Sequence, residues 1–358
     1  MAVASTVFRR WRGAALAGLC LCVTLMAVGL KGQNSSSSLT PDPSGATGAA
    51  QTAPAPNAAP APQSDGAQGQ PTSQPDVDQS AVFVFKTQVR EVILHATVVD
   101  EQRRLVTNLD RASFTAFENG VPQAITSFHR DDVPVALGII IDNSGSMREK
   151  RGKVNQAALN LIRASGPKDE TFVVNFSQDS YLDQDFTNDA NLLQIALQKV
   201  SAQGSTALYD TIVASAVHLK NNTRVERKVL LVITDGRDNA SQETLQEAMR
   251  RLQQENGPTV YAIGLLGDEL QESDTGALQS LAAATGGVAF FPQRLDEVDD
   301  ITRVVARDIH SQYTVGYKPI DHSKNGGYRT IEVRAQAPGH RRLTVRTRSG
   351  YYPGDAVR

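Results

Sequence analysis

What constrains this chain most is a series of continuous apolar runs separated by amphipathic helical patterns. Residues 135–141, 171–176, 229–233, 260–265 and 288–291 read as strands, and 181–186 as a short one at an edge. Between them, Val154, Ala158, Leu161 and Ile162 mark one helical face. Leu192, Leu193, Ile195, Ala196 and Val200 mark a second, and Leu208, Ile212, Ala216 and Leu219 a third. Residues 242–254 form the next helix, and Leu278, Leu281 and Ala282 lie on a short one. Val298, Ile301, Val304, Val305 and Ile309 belong to the closing helix. Strands apolar on both faces, alternating with helices, predict an α/β fold: a doubly wound, mostly parallel sheet covered on each side. Ligands of such folds bind beyond the carboxyl ends of the strands.

Three places at those ends carry oxygen-bearing side chains. The run Ile139-Ile140-Ile141 stops abruptly at Asp142, Ser144 and Ser146, and a helical pattern follows at once. Gly204-Ser205-Thr206 opens another helix. Thr234-Asp235-Gly236 closes the apolar strand 229–233. Carboxylates and hydroxyls without sulfur or imidazole suit a hard cation, Mg2+ ahead of Mn2+ or Ca2+. Each motif also has an ordinary reading. Ser146 and Glu149 have the spacing of a capping box, and Thr-Asp-Gly is common turn chemistry.

The set Asp142, Ser144, Ser146, Thr206 and Asp235 resembles the metal-ion-dependent adhesion site (MIDAS) of von Willebrand factor type A (VWFA) domains, in order, spacing and surrounding elements. The resemblance covers about half the chain, residues 133–310. It implies that Ser144 and Ser146 bind Mg2+ directly, that Thr206 joins them in a ligand-competent state, and that Asp142 and Asp235 act largely through waters. A partner's Asp or Glu would then complete the shell. Asp210 and Asp238 are further candidates beside the site, to be set against surface solvation and helix capping respectively. The surrounding loops, near Asn143, 178–183 and 237–241, would set specificity. The whole layout is similar to VWFA-related secreted proteins common in Acidobacteria, a likeness that brings no ligand with it.

The flanks are different. Residues 81–132 and 311–358 read as strands, with 82–85 first, Asn119-Gly120 a hairpin signal and Ile125 and Phe128 on the returning strand. Strands at 313–317, 328–334 and 342–346 follow, with Asn325-Gly326-Gly327 as a turn. The expectation is one small β-sandwich built from both flanks, with the α/β domain inserted between them. Arg342, Arg346 and Arg348 alternate on the last strand and read as charges that blunt an exposed edge, or else as a basic contact site.

The remaining sequence bounds location and function. Arg9, Arg10 and Arg12 precede an apolar run, so residues 1–30 read as a signal peptide or an uncleaved anchor. Residues 31–80, rich in Pro, Ala, Ser and Gln, read as a disordered spacer. Export to the periplasm, the cell envelope or the exterior follows. A net charge of -2 points to no nucleic-acid partner, and the membrane enters only through an uncleaved anchor. The two cysteines, Cys20 and Cys22, leave the rest without disulfides or thiolate sites. No His-Glu-x-x-His or Gly-x-Ser-x-Gly occurs, which argues against an enzyme. The expected function is Mg2+-dependent binding of an acidic side chain on a protein partner. The alternatives are a structural VWFA module without metal-dependent binding and an accessory subunit of a AAA+ ATPase.

Overall fold

The computed structural model describes residues 91–130, 132–199, 202–265, 272–321 and 327–354. The N-terminal segment 1–30, the spacer 31–80, the strand at 82–85, Val200 on its helical face, and Asn325 and Gly326 in their turn lie outside them.

The central sheet contains β5 (Val135–Asp142), β6 (Glu170–Phe176), β7 (Ser180–Thr187), β8 (Arg227–Thr234), β9 (Thr259–Gly264) and β10 (Ala289–Phe290), in the order β10-β9-β8-β5-β6-β7. Among the described residues only β7 runs antiparallel to its neighbour. Among the described residues the helices that cover it are α1 (Arg151–Ala164), α2 (Ala190–Leu197), α3 (Leu208–Asn222), α4 (Leu245–Leu252), α5 (Glu272–Thr285) and α6 (Glu297–His310). The strand period of two splits β5 between the two cores. Leu137, Ile139 and Ile141 pack with Val154, Leu161 and Ile309 on one face. Ala136 and Ile140 pack with Phe172, Ile212, Leu219 and Leu281 on the other. Each fully buried Ile contributes about 2 kcal/mol of apolar transfer free energy. Gly138 makes this packing feasible, because a Cβ there would stand 2.4 Å from the Phe172 ring.

Two antiparallel sheets are built from the flanks. One has the order β13-β1-β11-β4, with β1 (Val92–Val99), β4 (Ile125–His129), β11 (Tyr313–Tyr317) and β13 (Thr344–Arg346). The other has the order β14-β12-β2-β3, with β2 (Phe114–Glu118), β3 (Val121–Gln123), β12 (Arg329–Ala335) and β14 (Gly350–Tyr351). Both sheets pair strands from before the α/β domain with strands from after it. Leu94 stands opposite Val315, and Ala116 opposite Val333. Their inward faces share one core that includes Leu94, Phe114, Tyr313, Val315 and Val333. The α/β domain is thus inserted into a small β-sandwich.

Two details depart from the sequence reading. Asn119 (φ 51°) and Gly120 (φ 76°) do make the hairpin turn between β2 and β3. The returning strand is only Val121–Gln123, however, and Ile125 and Phe128 lie on β4, which crosses to the other sheet and pairs with β11. Phe128 is needed there to stack with Tyr313 and Phe114, at centroid distances of 5.8 and 5.3 Å. Arg346 and Arg348 are not edge charges either. Arg346 Nη2 donates to Asp308 of α6 at 2.9 Å, and Arg348 Nη2 to the Gln254 carbonyl at 2.8 Å. Both join the sandwich to the α/β domain. Arg342 stays exposed, ahead of β13.

Candidate metal centre

The parallel register of β5 and β8 sets Ile141 beside Ile233, so both strands end at the same level. Asp142 closes β5, and Thr234 closes β8 with Asp235 next in the chain. Asp142 is fully buried and Asp235 nearly so. The Thr234 hydroxyl donates to Asp142 Oδ2 at 2.5 Å, and the Ser144 amide donates to Oδ1 at 2.8 Å. Burial pushes the Asp142 carboxyl above its usual range, as does the charge of Asp235, while the bonds from Thr234 and Ser144 pull it back.

Beyond Asp142 the chain turns through a short 3-10 segment, Gly145–Met147. This aims two hydroxyls at the neighbouring loop. Ser146 Oγ donates to Asp235 Oδ1 at 2.9 Å, and Ser144 Oγ lies 3.1 Å from Ser146 Oγ. A hydroxyl has one proton, so Ser144 donates to Ser146 and Ser146 to Asp235. The capping-box reading of Ser146 and Glu149 fails here. The helix begins only at Arg151, and the Ser146 side chain is directed at Asp235.

Asp142, Ser144, Ser146 and Asp235 therefore form one hydrogen-bonded cluster. Thr206 is buried nearby, on a loop tied to the first by Gln203 N donating to the Asn143 carbonyl. Its amide donates to Asn239 Oδ1 at 2.8 Å. Among the described residues no hydrogen bond joins its hydroxyl to the other four.

The two further carboxylates hold loops together. Asp238 Oδ2 accepts from the Tyr209 amide at 2.9 Å and from the Ser241 hydroxyl. It thus caps α3, the helix after Thr206, rather than the helix after itself. Asp210 accepts from the amides of Gln242 and Glu243 at 3.0 and 2.9 Å. The residue is half-exposed, and its two oxygens fasten the Asp235 loop to α3.

Two cations at the site were invisible in the motif. Lys150 Nζ lies 2.5 Å from Asp235 Oδ2. Arg151, 2% exposed, donates to the Asp142 carbonyl at 3.4 Å, to Asn175 Oδ1 at 2.7 Å and to the Leu197 carbonyl at 3.1 Å. Burial brings its guanidinium down to about 10, against the opposing pull of Asp142 and Asp183. One signal was present in the sequence: Lys150, Arg151 and Lys153 crowd a helix N-terminus, where the macrodipole disfavours cations.

The oxygens present fit a hard cation. Adjacent vertices of an octahedron with metal–oxygen bonds of about 2.1 Å lie about 3.0 Å apart. The Ser144–Ser146 and Ser146–Asp235 separations, 3.1 and 2.9 Å, match that edge. Among the described residues no group of three or more His, Cys, Asp or Glu side chains is placed to hold a metal, so any ion here depends on hydroxyls.

A mostly parallel sheet carries this hydroxyl-rich loop cluster at the carboxyl ends of its central strands, the place where ligands of such folds bind. Residues 137–304 match the model of the von Willebrand factor type A domain. No curated protein matches the chain. Among solved structures it is similar to the PilB minor pilin from Streptococcus sanguinis, at 12% identity and a TM-score of 0.43, over 50% of this chain and 62% of that one. It is also similar to a von Willebrand factor type A protein from Catenulispora acidiphila, at 12% identity and a TM-score of 0.44, over 76% of each chain. A third is the vWF domain of the type V pili tip protein Mfa5 from Porphyromonas gingivalis, at 12% identity and a TM-score of 0.41, over 50% of this chain and 97% of that one. The chain thus spans about 62% of the length of the PilB pilin, and nothing about ligand or assembly carries over at such identities.

Proposed function

We propose that this chain is an exported protein-interaction module that captures an Asp or Glu side chain of a partner through a Mg2+ held by Asp142, Ser144, Ser146, Thr206 and Asp235. The observation that carries the reading is the Ser144–Ser146–Asp235 relay, with oxygens 3.1 and 2.9 Å apart beside the buried Asp142 carboxyl. Ser144 and Ser146 would offer a bound ion neutral hydroxyls, leaving it short of negative charge, and such an ion would supply Lewis acidity toward a carboxylate oxygen of a partner. The protein's own part is to hold those hydroxyls in place and to keep the Thr206 loop against the Asp235 loop, through Asn239 and Asp238. The turn into β7 with its first residues, 178–183, and the loop 237–241 form the rim that selects among acidic partners. The basic, apolar start of the sequence, residues 1–30, supports export.

The test is calorimetric titration of Mg2+ into the protein and into Asp142→Ala, followed by partner capture from envelope extract with and without EDTA. Binding heat lost in Asp142→Ala, with capture abolished by EDTA, is the expected result. No heat from the natural sequence would leave a VWFA module without metal-dependent binding.

A further inference from the structure

From the placement of Lys150 we infer that its ammonium is a tethered competitor of the divalent ion, one that must leave Asp235 before the ion can use that carboxylate. The inference rests on the metal-binding reading above and goes beyond the residues the family motif supplies.

Lys150 Nζ approaches Asp235 Oδ2 at 2.5 Å, on the same carboxylate whose Oδ1 accepts from Ser146 at 2.9 Å. The Asp235 side chain is fully buried, while that of Lys150 is 23% exposed. The carboxylate is therefore fixed, and the ammonium has a route to solvent. Lys150 also occupies the N-cap position of α1, where Ser, Thr, Asp or Asn would satisfy an orphan amide; it makes no capping bond. No acidic residue stands in the first turn of α1 to hold a cation there. The neighbouring cations are engaged elsewhere, Lys153 with Asp296 at 2.8 Å and Arg151 with Asn175 and backbone carbonyls. Asp235 is thus the anion that gives Lys150 its place.

Electrostatics makes the arrangement exclusive. The Asp142 carboxyl is already held by Thr234 and Ser144, so Asp235 is the carboxylate over which two cations would contend. A dication within bonding or one-water distance of Asp235 repels an ammonium at 2.5 Å from it, in a site with little water to screen them. Flexible and strongly hydrated when exposed, the ammonium is the one that yields. Lys150 then acts as a threshold: it keeps Asp235 neutralised at low divalent concentration and gives it up when the ion is abundant.

Three full-length proteins test this by Mg2+ calorimetry: the natural sequence, Lys150→Met and Lys150→Arg. Since a charged hydrogen bond must be broken before the ion binds, Lys150→Met should bind Mg2+ about ten- to a hundredfold more tightly. Lys150→Arg, whose fork holds a carboxylate more firmly, should bind it no better than the natural protein. An independent readout uses the natural protein alone. Acetylation of Lys150 by acetic anhydride, followed by mass spectrometry with Lys153 as internal reference, should rise on saturation with Mg2+. Equal or weaker affinity in Lys150→Met, or labelling indifferent to Mg2+, overturns the competition and leaves the metal site standing. Absence of binding heat in all three folded proteins removes the metal site itself, and the competition with it.

Discussion

The buried ion pair between Glu118 and Arg329 offers a quantitative test of how the flanks close on each other. Glu118 ends β2, Arg329 begins β12, and 211 residues separate them. Arg329 Nη1 donates to Glu118 Oε1 at 2.8 Å. The hydroxyls of Tyr317 and Tyr351 donate to Oε2 at 2.6 and 3.0 Å. The Glu118 and Arg329 side chains are 2% and 7% exposed. Glu118→Ala therefore removes the acceptor of three donors and leaves a guanidinium out of water. Removing one partner of a buried pair costs about 3–5 kcal/mol. The lower end applies, because Arg329 retains the Asp321 carbonyl at 2.9 Å and its carboxylate at 3.7 Å. The two tyrosines would raise the cost, although losses that share one acceptor do not add. About 3–4 kcal/mol follows. Glu118→Gln, which keeps an acceptor but not the charge, should cost about 1–2 kcal/mol. The double variant Glu118→Leu with Arg329→Met removes both charges, and it should recover most of the loss, to within about 1 kcal/mol of the natural protein. Urea unfolding followed by circular dichroism measures all three. A Glu118→Ala cost below about 1 kcal/mol, or a double variant no better than the single one, would refute the reasoning.

Two further outcomes follow from the structure. Thr234→Val leaves Asp142 Oδ2 without the hydroxyl at 2.5 Å, so stability should fall by about 1–3 kcal/mol and Mg2+ affinity about ten- to a hundredfold; unchanged calorimetry would break the link between Thr234 and the site. The His95 ring is held down to about 3, against an ordinary 6.5, by burial and then by Arg227, with Lys228 and Arg348 adding to it. The unfolded chain binds the proton first, so this histidine's contribution is complete above pH 6.5 and is lost as pH falls toward about 3. His95→Gln should flatten that part of a stability–pH profile, and an unaltered slope between pH 6 and about 4 would count against the assignment.

The α/β architecture and four of the clustered side chains were legible from local patterns. Residues 135–141 and 229–233 are apolar on both faces, which admits only a covered parallel sheet, and the register of such a sheet brings their carboxyl ends level. Asp142, Ser144, Ser146 and Asp235 converge for that reason. Polar partnerships that cross between elements were not legible. Nothing near Asp238 in the chain indicates that it caps α3, and nothing near Arg346 indicates that it meets Asp308. Ile125 and Phe128, three apart, would fall on opposite faces of a regular strand, and only the register shift opposite Gly316 and Tyr317 turns both toward the sandwich core.

Periodicity is a property of neighbours along the chain, so it specified the strands, the helices and the loops on which polar side chains would gather. The pairing of charges depends on which surfaces meet once those elements pack. Lys150 has the same residue type and much the same surroundings in sequence as Lys153. One reaches a buried carboxylate and the other an exposed one, and that difference arises only when β8 comes to lie beside β5.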